Sequence, residues 1–187
     1  MDKKLFVIYI GGRTTQSLIE LHDLRFVVAA RIEETFEELK KTWWGLPESL
    51  HLDCWGALEF ADGHRLEFSS TPSQSPQKLF FINLGGYSKK EFTEVHRNVF
   101  LVAETEAEAK KRAVTMIQDC EQGHKDHLYD VESAICLTEA LKTQDVHLNL
   151  KPVSVAPQFQ FEFGYVPIGK GKGLTGRESK GEMSVIQ

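Results

Sequence analysis

The sequence has few cysteines, no long apolar run and no excess of positive charge. Its three cysteines, Cys54, Cys120 and Cys136, are odd in number and far apart, which is typical of reduced thiols in the cytoplasm rather than of a disulfide framework. No apolar stretch approaches the roughly 18 residues that a membrane helix needs, so we expect no membrane partner. The net charge of −5 argues against nucleic acid as a partner, because phosphate binding requires a positive field.

The chain repeats part of itself with an offset of 74 residues. Segment 4–12, KLFVIYIGG, returns as segment 78–86, KLFFINLGG. Without any gap, 11 of the 26 residues in segment 4–29 are identical to their partners in segment 78–103. Since self-similarity at a fixed offset is the sign of a repeated structural unit, we predict an internal duplication.

The composition along the chain places the boundaries of the two repeat units. A Ser- and Pro-rich stretch separates the repeats, and the C-terminal residues are rich in glycine and poor in apolar side chains. We predict a first repeat unit at 1–70, a linker at 71–77, a second repeat unit at 78–151, an extra strand at 152–164 and a flexible tail at 165–187.

Periodicity predicts the same order of elements in each unit. Segment 5–10 is apolar on both faces, as in a central strand, and the double glycine after it favours a tight turn. A helical stripe follows at Ile32, Phe36, Leu39 and Trp43, and Asp62-Gly63 predicts a hairpin turn. The fold class is therefore α/β (α+β-like): two strand–strand–helix–hairpin units with an approximate two-fold relation, packed together.

Polar side chains suited to metal or acid–base chemistry occur as one set in each repeat. Histidine and carboxylate are ligands for zinc, iron or manganese, and a histidine beside a carboxylate is also an acid–base pair. The alternative is that each histidine only hydrogen-bonds a neighbour at a strand end. The two sets are Glu20, His22, His51 and Asp53 in the first repeat, and Glu94, His96, His127 and Asp130 in the second.

A glycine-rich segment and one cysteine offer two further chemistries. Gly11, Gly12 and Arg13 are candidates to bind an anion through backbone N–H groups and a guanidinium, although glycines there chiefly favour a turn. Cys54 is near His51 and Asp53 in sequence, as a nucleophile would be. Strand alternation, however, places residues 51 and 53 on one face and residue 54 on the other, which favours a structural thiol.

The repeated Lys-Leu-Phe-x-Ile-x-x-Gly-Gly strand, the Glu-x-His of the next strand and the His-Leu-Asp after the helix resemble an uncharacterised bacterial family. This family is known as domain of unknown function 1543, and its domain occurs once or twice per chain. The resemblance covers about residues 4–150. It implies a bacterial origin and two tandem domains, and it implies no activity.

Two functional hypotheses of different classes follow from these observations. The first is a non-catalytic binding or interaction module, for which a homodimer is one arrangement, because the sequence has no strong catalytic motif and duplication builds symmetric surfaces. The second is a metal-dependent or acid–base enzyme with a divalent metal as cofactor. In that case His22 and His96 are ligands or bases, Glu20 and Glu94 orient them, and His51 and His127 complete the sites.

Overall fold

The computed structural model of the chain describes residues 3–87, 92–120, 129–144, 146–169 and 179–183. In this part of the chain, antiparallel strands in three sheets predominate over the three α-helices, which are α1 (Phe36–Thr42), α2 (Glu106–Cys120) and α3 (Leu137–Ala140). The fold is therefore mixed but rich in strands. Among the described residues, no helix has the length and apolar character required to cross a membrane.

The strands have the following bounds in chain order: β1 (Lys4–Gly12), β2 (Leu21–Ala29), β3 (His51–Leu58), β4 (Phe60–Ala61), β5 (His64–Ser69), β6 (Lys78–Tyr87), β7 (Glu94–Ala103), β8 (Tyr129–Cys136), β9 (His147–Pro152), β10 (Phe159–Pro167) and β11 (Ser179–Met183). They belong to two compact units. Unit 1 consists of Met1–Glu59 with Gln158–Ser184, and unit 2 consists of Phe60–Pro157 with Val185–Gln187.

Unit 1 is a five-stranded sheet in the order β11-β10-β3-β1-β2. Phe6, Ile8 and Ile10 alternate along β1 and face a core that also contains Leu39 and Trp43. All four residues of the predicted stripe pack in or against this core, but only Phe36 and Leu39 lie in α1, because Ile32 belongs to a 3-10 turn before the helix and Trp43 follows its end. The other face of the sheet at the Gly11 end carries the polar side chains described below.

Unit 2 contains two three-stranded sheets, β7-β6-β8 and β4-β5-β9. The first has the same strand order and the same antiparallel pairing as β2-β1-β3 of unit 1. Helix α2 covers it through Ala109 and Ala113, whose small side chains lie against Ile82 and Leu84. Thr105 caps this helix, because its hydroxyl accepts a hydrogen bond from the Glu108 N–H at 3.2 Å.

The hairpin predicted around Asp62-Gly63 forms between β4 and β5. Both turn residues have positive φ, 47° and 69°, and Phe60 pairs with Arg65. The sequence assigned this hairpin to the first repeat, whereas β5 pairs along its whole length with β9, a strand of the second repeat. Strand pairing therefore divides the chain differently from the sequence repeat.

The C-terminal strands complete unit 1. The extra strand predicted at 152–164 is found as β10, which continues to Pro167 and pairs with β3. Strand β11 then pairs with β10. Both strands extend into the segment for which the sequence predicted a flexible tail from residue 165. They do so because the open edge of β3 offers backbone hydrogen bonds to β10, and the far edge of β10 offers them to β11.

Candidate metal centre

The site is built around Gly11, near the end of the central strand β1. Gly11 lies opposite His22 of β2 on one side and opposite His51 of β3 on the other. Residues directly opposite one another in antiparallel strands project to the same face of a sheet. The two imidazoles therefore stand on either side of a residue that has no side chain.

A β-bulge in β3 changes which side chains share this face. The register between β1 and β3 shifts between Tyr9 and Ile10, so that Asp53 is the extra residue between Leu52 and Cys54. Because of the bulge, His51 and Cys54 lie on the same face, opposite Gly11 and Tyr9. The alternation predicted for residues 51, 53 and 54 is therefore wrong at this point, since a bulge interrupts the two-residue period.

Position 11 requires glycine because there is no room for a Cβ atom, and not because the backbone turns there. Gly11 and Gly12 lie inside β1, and in the described chain positive φ occurs at Asp62, Gly63 and Gly164 only. A Cβ atom on Gly11 would lie 2.6 Å from His51 Nε2 and 2.8 Å from His22 Nε2. The turn predicted from the double glycine is therefore wrong, and the missing side chain leaves a notch between two ring nitrogens.

The described members of the first predicted set converge on this notch. The His22 and His51 rings are 6.3 Å apart, measured between their centroids, and nearly perpendicular. Glu20 precedes β2, and its Oε2 lies 3.7 Å from His51 Nε2. One ligand atom each from Glu20, His22 and His51 lies within 4.8 Å of the others. Two ligands of one zinc ion lie at most about 4.2 Å apart, so small side-chain movements would bring these three donors onto one ion.

His51 is held in the tautomer that a metal ligand or a base requires. Its Nδ1 lies 2.8 Å from the backbone carbonyl oxygen of Ser49, and a carbonyl can only accept. The proton of neutral His51 is therefore on Nδ1, and Nε2 carries a lone pair. His51 is only 1% exposed, and its Nε2 is buried with no hydrogen-bond partner among the described residues.

Asp53 supplies a second carboxylate beside the imidazoles. Its Oδ2 lies 3.2 Å from His22 Nε2 and its Oδ1 lies 3.5 Å from His51 Nε2. Both distances are within ion-pair range, but neither contact is a formed hydrogen bond, since Oδ2 is buried with no hydrogen-bond partner in the described chain. Buried polar atoms normally have a hydrogen-bond partner. Asp53 Oδ2 and His51 Nε2 are therefore the two atoms of this site to which a bound group would be expected to bind.

Two further groups on this face have raised pKa values. Burial, followed by the negative charge of Asp53, raises the pKa of the Cys54 thiol. The thiol therefore stays protonated at neutral pH, which agrees with a structural cysteine and not with a nucleophile. Burial and the nearby charge of Asp53 also raise the pKa of Tyr9, so its phenol is neutral.

The second predicted set is brought together only in part. His96 Nδ1 lies 3.1 Å from Glu132 Oε2, and His96 Nε2 lies 3.7 Å from Glu94 Oε2. Asp130 is not a member of this cluster, and its carboxylate accepts a hydrogen bond from the adjacent Val131 N–H. His127 lies outside the described residues. Sequence reasoning missed Glu132, which completes the cluster.

Strand register shows why Glu132 was missed. Asp130 lies opposite Gly85, as His51 lies opposite Gly11. Strand β8 also has a bulge, in which Glu132 is the extra residue between Val131 and Ser133. The equivalent of His51 is thus Asp130, and the equivalent of Asp53 is Glu132. Aligning the apolar core positions of β3 with those of β8 would have given this match, whereas the shared His-Leu dipeptide led to His127.

Unlike the first cluster, the second has no buried polar member. His96, Glu94 and Glu132 are each at least one-third exposed. The pKa of Tyr87 is raised because its hydroxyl donates a hydrogen bond to Glu94. The two clusters therefore differ in composition and in burial.

Arg13 does not complete an anion site with the two glycines. The Arg13 N–H donates to the Ser49 hydroxyl at 2.8 Å, and Gly11 and Gly12 belong to the paired strand β1. The side chain of Arg13 is exposed. These backbone groups already have structural partners, so the arrangement gives no support to the predicted anion cradle.

The family comparison matches the segment that contains β2 and β3. Residues 17–68 match the model of a Domain of Unknown Function, DUF1543. This match supports the family resemblance found in the sequence. It includes Glu20, His22, His51 and Asp53, and it comprises one segment and not two.

A solved structure shows that this fold occurs in another protein. The chain is similar to the crystal structure of a protein Il1583 from Idiomarina loihiensis, with 26% sequence identity and a TM-score of 0.65. The similarity covers 89% of this chain and 99% of that chain. No curated protein matches the chain.

Proposed function

We propose that the DUF1543 segment forms a binding site for a divalent transition metal ion, and that the function of the chain depends on this ion. The ligands are His22 Nε2, His51 Nε2 and a carboxylate oxygen of Glu20, with Asp53 beside them. The observation that carries the proposal is the Nε2 of His51, which is buried, carries a lone pair and has no hydrogen-bond partner among the described residues. A metal ion supplies the partner that this nitrogen lacks.

The donor set indicates the class of metal. Two imidazoles and one carboxylate bind Zn²⁺ in catalytic sites and Fe²⁺ in facial-triad sites, and both kinds of site keep open coordination positions. Calcium and magnesium prefer oxygen ligands. The site therefore favours Zn²⁺ or Fe²⁺, and an ion bound by three protein ligands is of the kind that also binds substrate.

We also propose that the sheets β2-β1-β3 and β7-β6-β8 descend from a duplication and have since diverged in function. The shared strand order, the bulges and the paired glycines support this proposal. In unit 2 the position equivalent to His51 is Asp130, and Tyr9 is replaced by Asn83, whose amide oxygen lies 3.4 Å from His96 Nδ1. Among the described residues the second cluster has one imidazole on an exposed surface, which binds a transition metal less tightly than two, so we expect one tight ion per chain.

The first test measures metal content and the stabilisation that metal provides. Protein without a histidine tag is expected to bind Zn²⁺ or Fe²⁺ in a one-to-one ratio, measured by elemental analysis after removal of excess metal. At a metal concentration about 100 times the Kd, the stabilisation of about 2.7 kcal/mol should raise the Tm by roughly 5–10 °C. His22→Gln and His51→Gln should each abolish both effects.

The matched control is His147→Gln, since His147 lies on β9 and is not a member of either cluster. This variant should bind metal like the wild type. A metal content far below one equivalent, together with an unchanged Tm in Zn²⁺, Fe²⁺ and Mn²⁺, would exclude the metal site. Binding that persists in both His22→Gln and His51→Gln would place the ion elsewhere.

A non-catalytic interaction module is the second candidate function, and one surface of unit 1 favours it. Leu18 and Ile19, which directly precede the ligand Glu20, are 97% and 76% exposed. Adjacent exposed aliphatic side chains are typical of a contact with another protein chain. We propose that this surface contacts a second copy of the chain, because symmetric homodimers are the most common oligomers of soluble proteins.

Light scattering after size exclusion tests the dimer. The wild type is expected to have twice the mass of the chain, and the double variant Leu18→Ser with Ile19→Ser should have the mass of the monomer. Leu21→Ser serves as the neighbouring control. A wild-type monomer at high protein concentration would eliminate this candidate and would not affect the metal site.

A further inference from the structure

Three aromatic side chains surround the notch on the face that carries the ligands. Tyr9 stacks on His22 with ring centroids 5.3 Å apart and planes 4° apart, and Tyr165 lies 4.3 Å from the His51 ring. Phe163 lies opposite Cys54 in the neighbouring strand. Each of the two ligand imidazoles therefore has an aromatic neighbour.

These aromatic rings do more than support the imidazoles, because much of their surface is exposed. Tyr9 is 39% exposed, Phe163 is 41% exposed and Tyr165 is 58% exposed. Ligand sites are lined mainly by aromatic and apolar side chains with a few polar groups that fix orientation. Flat rings beside a metal position favour a planar partner that stacks in an offset or edge-to-face geometry.

The polar groups of the site restrict the partner further. An open coordination position on a divalent transition metal ion acts as a Lewis acid, which favours an anionic oxygen over a neutral one. Asp53 Oδ2 is buried without a hydrogen-bond partner in the described chain, so it requires a donor. The partner must therefore offer an anionic oxygen to the ion and an N–H or O–H group to Asp53.

We infer that the substrate of this site is a planar aromatic compound that carries an anionic oxygen next to a hydrogen-bond donor. This inference rests on the proposed metal site. Monoanions of catechols and aromatic hydroxamic acids have this chemistry. The oxygen occupies an open position on the ion, the donor faces Asp53, and the ring packs against Tyr9 and Tyr165.

Two hydroxamic acids that differ only in the ring test this inference. Benzohydroxamic and acetohydroxamic acid carry the same chelating group, and calorimetric titration into the Zn²⁺-loaded chain gives the affinity of each. We expect benzohydroxamic acid to bind roughly 10-fold more tightly, since contacts with two aromatic rings contribute about that factor. N-methylbenzohydroxamic acid lacks the N–H and should bind more weakly.

The variants Tyr9→Leu and Tyr165→Leu, each loaded to one equivalent of Zn²⁺ before titration, should show a reduced preference for the aromatic probe. Tyr87→Leu, an exposed tyrosine of unit 2, is the control and should preserve the preference. Equal affinities of the two probes, no binding of either probe to the loaded chain, or a preference unchanged in both Tyr9→Leu and Tyr165→Leu would overturn the inference. In each case the metal content separates this failure from failure of the metal site itself.

Discussion

Replacing Gly11 with alanine is expected to weaken metal binding by roughly 100-fold or more, because disturbing even the outer shell of a metal site costs 10–100-fold. The added methyl group would lie 2.6 Å from His51 Nε2 and 2.8 Å from His22 Nε2, in the space that the ion would occupy. His51 cannot turn away easily, since its ring is buried and its Nδ1 is bonded to the Ser49 carbonyl. Competition titration against a chromogenic zinc chelator measures the change.

The matched control for this experiment is Gly85→Ala. Gly85 is the equivalent glycine of unit 2, and a Cβ atom there would meet the carboxylate of Glu132, the mobile end of a half-exposed side chain. This variant should keep the tight metal site. Wild-type affinity in a folded Gly11→Ala protein would contradict the proposed geometry, and His51→Gln provides a second test if Gly11→Ala fails to fold.

The second large effect is expected at Asp62, on the stability of unit 2. Its carboxylate accepts a hydrogen bond from the Val102 N–H at 2.8 Å and two from Arg112 Nη2 at 2.8 and 2.9 Å. Arg112 Nη1 in turn donates to the Val102 carbonyl. The turn of the β4–β5 hairpin is thereby connected to β7 and to α2.

Asp62→Ala should lower the free energy of unfolding by roughly 2–4 kcal/mol, because it leaves a backbone donor and a partly buried guanidinium without their acceptor. The positive φ of 47° adds to this cost, since alanine rarely adopts it. Urea unfolding followed by circular dichroism measures the loss, and a chelator in all samples removes any contribution from metal.

Asp62→Asn separates the two causes, because asparagine tolerates positive φ but lacks the charge. Its loss should be about half that of alanine. Glu67→Ala removes only an exposed ion pair with Lys151 and should lower the free energy of unfolding by less than about 0.5 kcal/mol.

Because Trp43, Trp44 and Trp55 all belong to unit 1, tryptophan fluorescence reports the unfolding of that unit separately. An Asp62→Ala protein as stable as the wild type would show that this network contributes nothing.

The sequence alone determined the features that depend on local periodicity. The burial of Leu39 and Trp43 in one core, the turn at Asp62-Gly63 and the closeness of Glu20 to His22 all follow from residues close together in the chain. Repetition also pointed to the two sets of polar side chains. Local steric preferences and the periods of helices and strands act within a few residues, so they can be predicted from short segments of the sequence.

Only the tertiary structure decided which distant residues meet. The bulge at Asp53, the role of Glu132, and the pairing of β5 with β9 depend on registers between strands far apart in the chain. A register is fixed by the packing of whole sheets, and a bulge has no short sequence signature. For the same reason the glycine at position 11 predicted a turn from its sequence alone, whereas its pairing with His22 and His51 places it between the two imidazoles of the proposed metal site.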